Sequence, residues 1–375
     1  MKNQIINLPN ETDLSGFYII HRGSTLNEKK GIRGISHLME HLVCKSIDTF
    51  LDDFSRDGIE WNAFTSNDVV TFEFQGLEEK LDKYRDKIIE RLSVFNITKD
   101  EYENEKKIVI EEYRDTFNEQ TIAHFYNLFR KYFDNYGPIG DISDLKKLTY
   151  EDCKKYFEIQ FKHPSLIINV SKSKIYENKN IKFAEDADKY YTYYEFINNN
   201  KNFVQQKSNI FKDKSSILYF SNILLDDFYN VAFIINMLGL GLQAPLYSEL
   251  REKRGLVYFV QCDIEKMTDT CGFIFIHTLT SNENVKELKE VLDEILDNPK
   301  KYLTKERFNV IKDSLITKFK KENIERYKHI EHYYMPDNWN IEKYIDDIKF
   351  EDIFDIYDKY FKTWIKSVDK DEFKK

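Results

Sequence analysis

Much of what defines other protein classes is missing from this chain of 375 residues. No run of 18 apolar residues occurs, so no segment reads as a membrane-spanning helix and no membrane is expected as a partner. The opening Met1-Lys-Asn-Gln-Ile-Ile-Asn-Leu-Pro9 has neither the apolar run of a secretory signal nor the Arg- and Ser-rich look of a transit peptide, which makes the cytoplasm the expected compartment. Cysteine is sparse: Cys44, Cys153, Cys262 and Cys271 form no C-x-x-C pair and no framework of short spacings. They read as reduced thiols in a reducing compartment, not as disulfides or a cysteine zinc site. No block of Lys and Arg dominates any segment and the net charge is −9, so nucleic acid is not the expected partner. What remains is 15% aromatic and 32% charged, a soluble, well-packed globular chain long enough for two or three domains.

The stretch that organises the rest is His37-Leu38-Met39-Glu40-His41. An α-helix turns ~100° per residue, so the two histidines project from one face with Glu40 close beside them. Two neutral imidazoles one turn apart can bind one Zn²⁺, while a carboxylate outside the ligand set stays free to take a proton from water activated by the metal. The order His-x-x-Glu-His reverses the commoner His-Glu-x-x-His and is the inverzincin signature. A catalytic zinc takes three protein ligands plus water, so a third must come from elsewhere. Glu101-Tyr-Glu-Asn-Glu105-Lys-Lys-Ile-Val-Ile-Glu111-Glu112 offers it. Glu105 and Glu112 are two helical turns apart and share a face with Ile108, whereas Glu111 points elsewhere.

With these motifs the sequence resembles the pitrilysin, insulin-degrading enzyme and mitochondrial processing peptidase family of M16-type zinc metallopeptidases. In that family the His-x-x-Glu-His helix is followed some seventy residues later by Glu-x(6)-Glu, and here Glu112 lies 71 residues after His41. Gly23-Ser24, Glu28, Gly58 to Thr65 and Leu250 to Tyr258 are similar to further landmarks, so the resemblance covers most of the chain. It implies one Zn²⁺ per chain on His37, His41 and Glu112, with Glu40 as the base and Glu105 as an acid standing behind the ligands. Asn62-Ala63-Phe64-Thr65 matches an exposed edge strand to which the family pairs extended substrate; on pattern alone it is an ordinary hairpin strand. Arg251 and Tyr258 match an Arg and a Tyr directed at the substrate, Tyr258 supporting the developing oxyanion. Arg254 reads as a solvated helix-end charge.

Along the chain, a strand at Phe17–His21 leads into the motif helix, which is expected to end near Gly58. A hairpin follows over Ile59–Ser66 and Val69–Gln75, then a helix over Glu78–Phe95. Thr98-Lys-Asp-Glu101 fits a capping box opening a long helix through Glu112 and, with a break, toward Tyr136. A short helix from Thr149 and a strand at Ser165–Val170 close the half. The second half repeats that order without the motif: strand Ile217–Phe220, helix Asp226–Met237, strands Leu256–Ile264 and Gly272–Leu279, helices Asn284–Leu296, Lys305–Tyr334 and Glu351–Trp364, with no closing strand. Duplication of an α+β unit is the expected fold class: two homologous units, each a mainly antiparallel sheet with helices on one face. The expected boundaries are 1–175 for a zinc-binding catalytic domain, 176–210 for a linker and 211–375 for a related domain. By resemblance two such units form half of a clam-shell chamber, so a homodimer, or a heterodimer with a related subunit, is expected to complete it.

The expected activity is zinc-dependent endopeptidase action on peptides or extended, unfolded protein segments. A dedicated processing protease needing a distinct partner subunit, or a non-catalytic scaffold subunit of the same family, are the alternatives. His21, His163, His277, His329 and His332 read as structural or surface histidines. The Gly239-Leu-Gly241 turn is similar to a glycine-rich family loop but continues Gln243-Ala-Pro245 and is too sparse for a phosphate site.

Overall fold

A computed structural model describes residues 4–118, 120–133, 137–184, 204–206, 213–266, 271–322, 345 and 347–370. They divide into two compact units, the first taking residues up to 115 and from 129 to 184, the second taking 116–128 and the described residues from 204 onward.

The first unit is built on β1 (Gln4–Pro9), β2 (Leu14–Arg22), β3 (Glu60–Thr65), β4 (Val69–Leu77) and β5 (Leu166–Ser171), in the order β1-β5-β2-β4-β3. Only β1 and β5 run parallel. The second unit has β6 (Val204–Gln206), β7 (Lys214–Leu224), β8 (Val260–Lys266), β9 (Cys271–Ser281) and β10 (Ile365–Lys370), in the order β6-β10-β7-β9-β8, again with one parallel pair, β6 and β10. Same order and same polarity in both sheets is the duplication expected from the sequence, in an α+β fold.

Each sheet buries one row of side chains under helices. In the first, Ile19 stands in register between Phe72 and Ile167, and all three share a core with Leu38 and Leu42 of α1 (Ile35–Lys45), Phe54 of α2 (Leu51–Asp57) and Ile88 of α3 (Arg85–Leu92). In the second, Tyr219 faces Ile276 across the ladder, and both share a core with Leu238, Leu292 and Tyr357. Fully burying a Leu, Ile or Phe contributes about 1.5–3 kcal/mol, so these rows fix the helices against the strands.

The helix starts follow their local chemistry. Thr98 opens α4 (Lys99–Asn118): its Oγ1 accepts from the Glu101 amide at 3.2 Å while the Glu101 carboxylate accepts from the Thr98 amide at 2.7 Å. After residue 119 the chain resumes as α5 (Gln120–Phe133), and α6 (Tyr150–Tyr156) has a second capping box, Thr149 with Asp152. The motif helix is shorter than expected: α1 stops at Lys45, and α2 runs to a left-handed Gly58. In the second unit the helices are α7 (Phe228–Gly239), α8 (Val285–Asp297), α9 (Lys305–Glu322) and α10 (Ile353–Tyr360). Leu238, Leu292 and Tyr357 from α7, α8 and α10 join Tyr219 in the core.

Two strands, β10 and β1, carry no clear signal in the sequence. The second half does have a closing strand, β10, which lies inside the sheet between β6 and β7. Its Ile-Lys-Ser-Val-Asp-Lys is poor in apolar residues because its neighbours supply the burial: Ser367 and Val368 are both buried. β1 carries a polar Asn7 whose carboxamide is bonded to Asn169 and to the Tyr176 backbone, and β6 is three residues long. His329 and His332 lie outside the described residues.

Candidate metal centre

The helix that carries the motif is fixed before its ligands are. Gly34 precedes α1 with φ +95°, and a Cβ on Gly140 would come within 2.3 Å of the Gly34 Cα, so two backbones meet at a separation that leaves no room for side chains. The carboxylate of Glu28 accepts from the Gly34 amide at 2.6 Å and the Ser36 amide at 2.8 Å, taking up donors that the first turn leaves free. Burial pushes the Glu28 carboxyl up to about 7, against the pull of those same bonds. Leu38, Met39 and Leu42 face the core with no exposure, which leaves His37 and His41 on the side turned away from it.

His37, His41 and Glu112 come together there. One carboxylate oxygen, Glu112 Oε2, lies 3.5 Å from His37 Nε2 and 3.5 Å from His41 Nε2, and three such donor atoms fall within 4.8 Å of one another. Ligands about 2.0–2.1 Å from a tetrahedral zinc stand roughly 3.3 Å apart, so this set of two imidazoles and a carboxylate fits that ion with little adjustment. The chemistry fits as well. Burial pushes the His37 imidazolium down to about 3, with the neighbouring His41 adding to the effect, so the ring is the neutral form that ligates. His41 Nδ1 sits 3.2 Å from Glu105 Oε2, an acceptor that sets which ring nitrogen faces the donors. Glu105 is buried and Glu112 half-exposed.

Glu40 belongs to the same patch without being a donor of the set. It is buried, and Oε2 accepts a 2.6 Å hydrogen bond from the Thr65 hydroxyl at the end of β3. Burial raises its carboxyl pKa, opposed by the Thr65 bond and by His41, and reinforced by the charge of Glu112. Lys45, one turn beyond His41, stands 3.3 Å from Glu105 Oε1 and 3.3 Å from Asp48 Oδ2. Burial works to lower its ammonium, but Glu105 and Asp48 outweigh it and hold the group above the usual lysine range.

The remaining expected site residues occupy two places. Asn62, Ala63, Phe64 and Thr65 are on β3, which among the described residues pairs only with β4, leaving it as a sheet edge. The Asn62 amide reaches across to Glu73 at 3.3 Å. Arg251 and Tyr258 are in the second unit, Arg251 on a π-helical turn, Ser248–Glu252. Its guanidinium lies 4.8 Å from the Tyr247 ring centre and 5.1 Å from that of Tyr258, with a hydrogen bond to the Tyr247 hydroxyl, while Tyr258 is 81% exposed. Arg254 is tied to the Glu249 carboxylate and carbonyl and has a structural place.

Comparison with known proteins bears on this arrangement. Residues 9–136 match the family model described as Insulinase (Peptidase family M16), and residues 196–315 match that described as Peptidase M16 inactive domain. The chain belongs to peptidase family M16. Within M16, it is 23% identical over 322 residues to the "Zinc protease PqqE" of Helicobacter pylori, covering 80% of this chain and 72% of that one. It is also 23% identical to an "Uncharacterized zinc protease" of Rickettsia felis, covering 88% and 85%. Its fold is that of a crystal structure of a protease from Helicobacter pylori, with a TM-score of 0.83, 20% identity and coverage of 98% and 97%. A peptidase M16 inactive domain from Pseudomonas fluorescens gives 0.77 at 14% identity, covering 98% and 95%. His37, Glu40, His41, Glu105 and Glu112 all fall within the 9–136 match, and Arg251 and Tyr258 within the 196–315 match.

The sequence reading did not give Lys45 a part, nor foresee the Thr65–Glu40 bond. A signal for Lys45 was present, since it follows His41 by four residues and so shares its helix face. Thr65 carried no such signal, because its bond joins a strand end to a helix 25 residues earlier. His124 was also passed over: it is buried in the second unit with Nδ1 2.8 Å from Ser216 Oγ and Nε2 2.8 Å from Ser367 Oγ.

Proposed function

We propose that this M16 peptidase is a zinc-dependent endopeptidase that cleaves peptides or extended, unfolded protein segments, with His37, His41 and Glu112 holding one Zn²⁺ and Glu40 as the general base. The observation that carries the reading is the single Glu112 oxygen 3.5 Å from each of two imidazole nitrogens, beside a buried carboxylate outside the donor set. When bound, the ion supplies Lewis acidity, bringing the pKa of a water to about 7 and polarising a carbonyl.

The protein's own groups do the rest. Glu40 takes the proton of the attacking water and returns it to the leaving amine. Thr65 holds Oε2 of that carboxylate and so aims Oε1 at the proton. Glu105 orients the His41 ring. The open edge of β3 from Asn62 to Thr65 takes the substrate as an added strand, so backbone pairing supplies affinity with little demand on sequence. Tyr258 donates to the scissile carbonyl oxygen as charge builds there, and Arg251, lying against its ring, holds the tyrosine in position.

In domain terms, the catalytic domain is centred on residues 1–175 and the related domain without the motif on 211–375, with 176–210 linking them; residues 116–128 pack with the second unit and β6 joins its sheet. The chain works as a homodimer, or with a related partner subunit, which closes a chamber around the substrate. No disulfide joins Cys44, Cys153, Cys262 and Cys271, which fits a reducing compartment such as the cytoplasm.

The test is a quenched fluorescent peptide library incubated with the purified chain, with and without a chelator, followed by restoration of zinc. Cleavage that is lost with the chelator and recovered with zinc is expected. A zinc-loaded chain that cleaves no member of the library would turn the assignment toward a scaffold or a dedicated processing subunit.

A further inference from the structure

Behind the donor set stands a charge, the Lys45 ammonium, to which the peptidase chemistry assigns no task. The carboxylate of Glu105 is buried and divided between two partners, Oε2 at 3.2 Å from His41 Nδ1 and Oε1 at 3.3 Å from Lys45 Nζ. A carboxylate inside a protein is costly to keep charged unless a cation or several donors compensate it. An imidazole offers it only one N–H. The ammonium supplies the compensation and, by engaging Oε1, fixes the rotation of the carboxylate so that Oε2 stays on the His41 side. Lys45 is itself placed by Asp48, 3.3 Å from its nitrogen, and by its position one turn beyond His41 on α1. The chain of contacts therefore starts at a half-exposed Asp48, passes through Lys45 and Glu105, and ends on the ring whose other nitrogen belongs to the donor set.

We propose that Lys45 is a positioning residue for the metal centre, acting on His41 through Glu105. The inference rests on His37, His41 and Glu112 being the ligands. It goes beyond them in assigning a role to a residue that touches neither ligand nor substrate. Partners that orient a metal-bound histidine typically change metal affinity 10–100-fold when removed, and a residue one step further out should act less strongly.

The experiment measures the Kd for Zn²⁺ by competition with a chromophoric chelator, using the full chain and five variants: Glu112→Gln, Glu105→Gln, Lys45→Met, Lys45→Arg and the double variant Lys45→Met with Glu105→Gln. Glu105→Gln should weaken binding about 10–100-fold and Lys45→Met about fivefold to tenfold, while Lys45→Arg should stay within about twofold of the parent. The double variant should bind no more than about twofold more weakly than Glu105→Gln alone, since Lys45 has nothing left to act through. Circular dichroism of the metal-free proteins provides the folding control, and Lys45→Met should match the parent because its side chain is 36% exposed. Parent-like affinity in Lys45→Met, or losses in the two single variants that multiply in the double one, would overturn the proposal while leaving the centre intact. Parent-like affinity in Glu112→Gln would instead overturn the ligand assignment on which it rests.

Discussion

The two units share a sheet order but solve the same packing problem with different chemistry. After the second strand of each sheet comes a helix, α1 in one and α7 in the other, and after the fourth strand comes a long helix, α4 or α9. On α7, Val231, Phe233, Ile234, Ile235, Met237 and Leu238 are buried and the helix is apolar nearly all round. On α1, two histidines, a glutamate and a lysine interrupt that pattern, and the histidine side chains keep 16% and 17% of their surface open. The braces between the paired helices differ to match. Arg307 of α9 donates to the carbonyls of Asn236 at 3.2 Å and Met237 at 3.1 Å and to that of Leu240, closing the C-terminal end of α7. Between α1 and α4 the contact runs instead through His41, Lys45, Glu105 and Glu112, and Tyr102, Glu105 and Val109 are the buried residues of α4. The first unit gives up apolar packing where the candidate site is; the second has hydrocarbon and an arginine cap in the corresponding place.

Breaking the site without breaking the scaffold should have the largest effect. Glu40→Gln is expected to keep zinc, by metal analysis, and to lose about 10²–10⁴-fold in kcat, the usual contribution of a general base. Parent-level turnover would mean that another residue serves as the base.

Next comes packing. Leu38→Ala and Leu238→Ala remove side chains with no exposure from α1 and α7, and each should cost about 2–5 kcal/mol in urea unfolding. If α1 were held chiefly by its polar contacts, the Leu38 variant would lose much less than the Leu238 one.

The pH dependence sharpens the comparison from the other side. Burial pushes His124 down to about 3, helped by His277, and pushes His277 down to about 4, both from an ordinary 6.5. Each therefore binds fewer protons folded than unfolded below pH 6.5, so stability rises with pH from about 4 to 6.5 and is lost as the pH falls through that window. The slope is about 1.4 kcal/mol per pH unit for each histidine. His124→Asn should remove about one such share of the slope in unfolding curves measured between pH 4 and 6.5; an unchanged slope would mean that His124 is not buried neutral. The smallest effect expected is that of Arg307→Met, about 0.5–2 kcal/mol of unfolding free energy from the lost bonds at the end of α7, with zinc binding untouched.

What could be read in the sequence was what local spacing controls. Four-residue and seven-residue separations put His37 with His41 and Glu105 with Glu112 on helix faces, the Ser-Asn-Asp turn gave the β3–β4 hairpin, and Thr98 and Thr149 announced the helices they cap. What could not be read depends on groups brought together from far apart. β10 is held by β6 and β7 rather than by its own composition, and His124 finds one serine 92 residues away and another 243 residues away. Of the candidate site, the convergence of His37, His41 and Glu112 was legible because their four-residue and seven-residue intervals put each set on one helix face. The Thr65 hydroxyl and the Lys45 ammonium were not, since such groups are common and only their distances to Glu40 and Glu105 give them a role.

The most direct measurement is an anomalous-scattering map at the zinc edge from crystals grown with Zn²⁺. One peak per chain, within about 2.0–2.2 Å of His37 Nε2, His41 Nε2 and Glu112 Oε2, is the predicted result. No peak at that point, or a peak bound by other residues with Glu112 turned away, would contradict it.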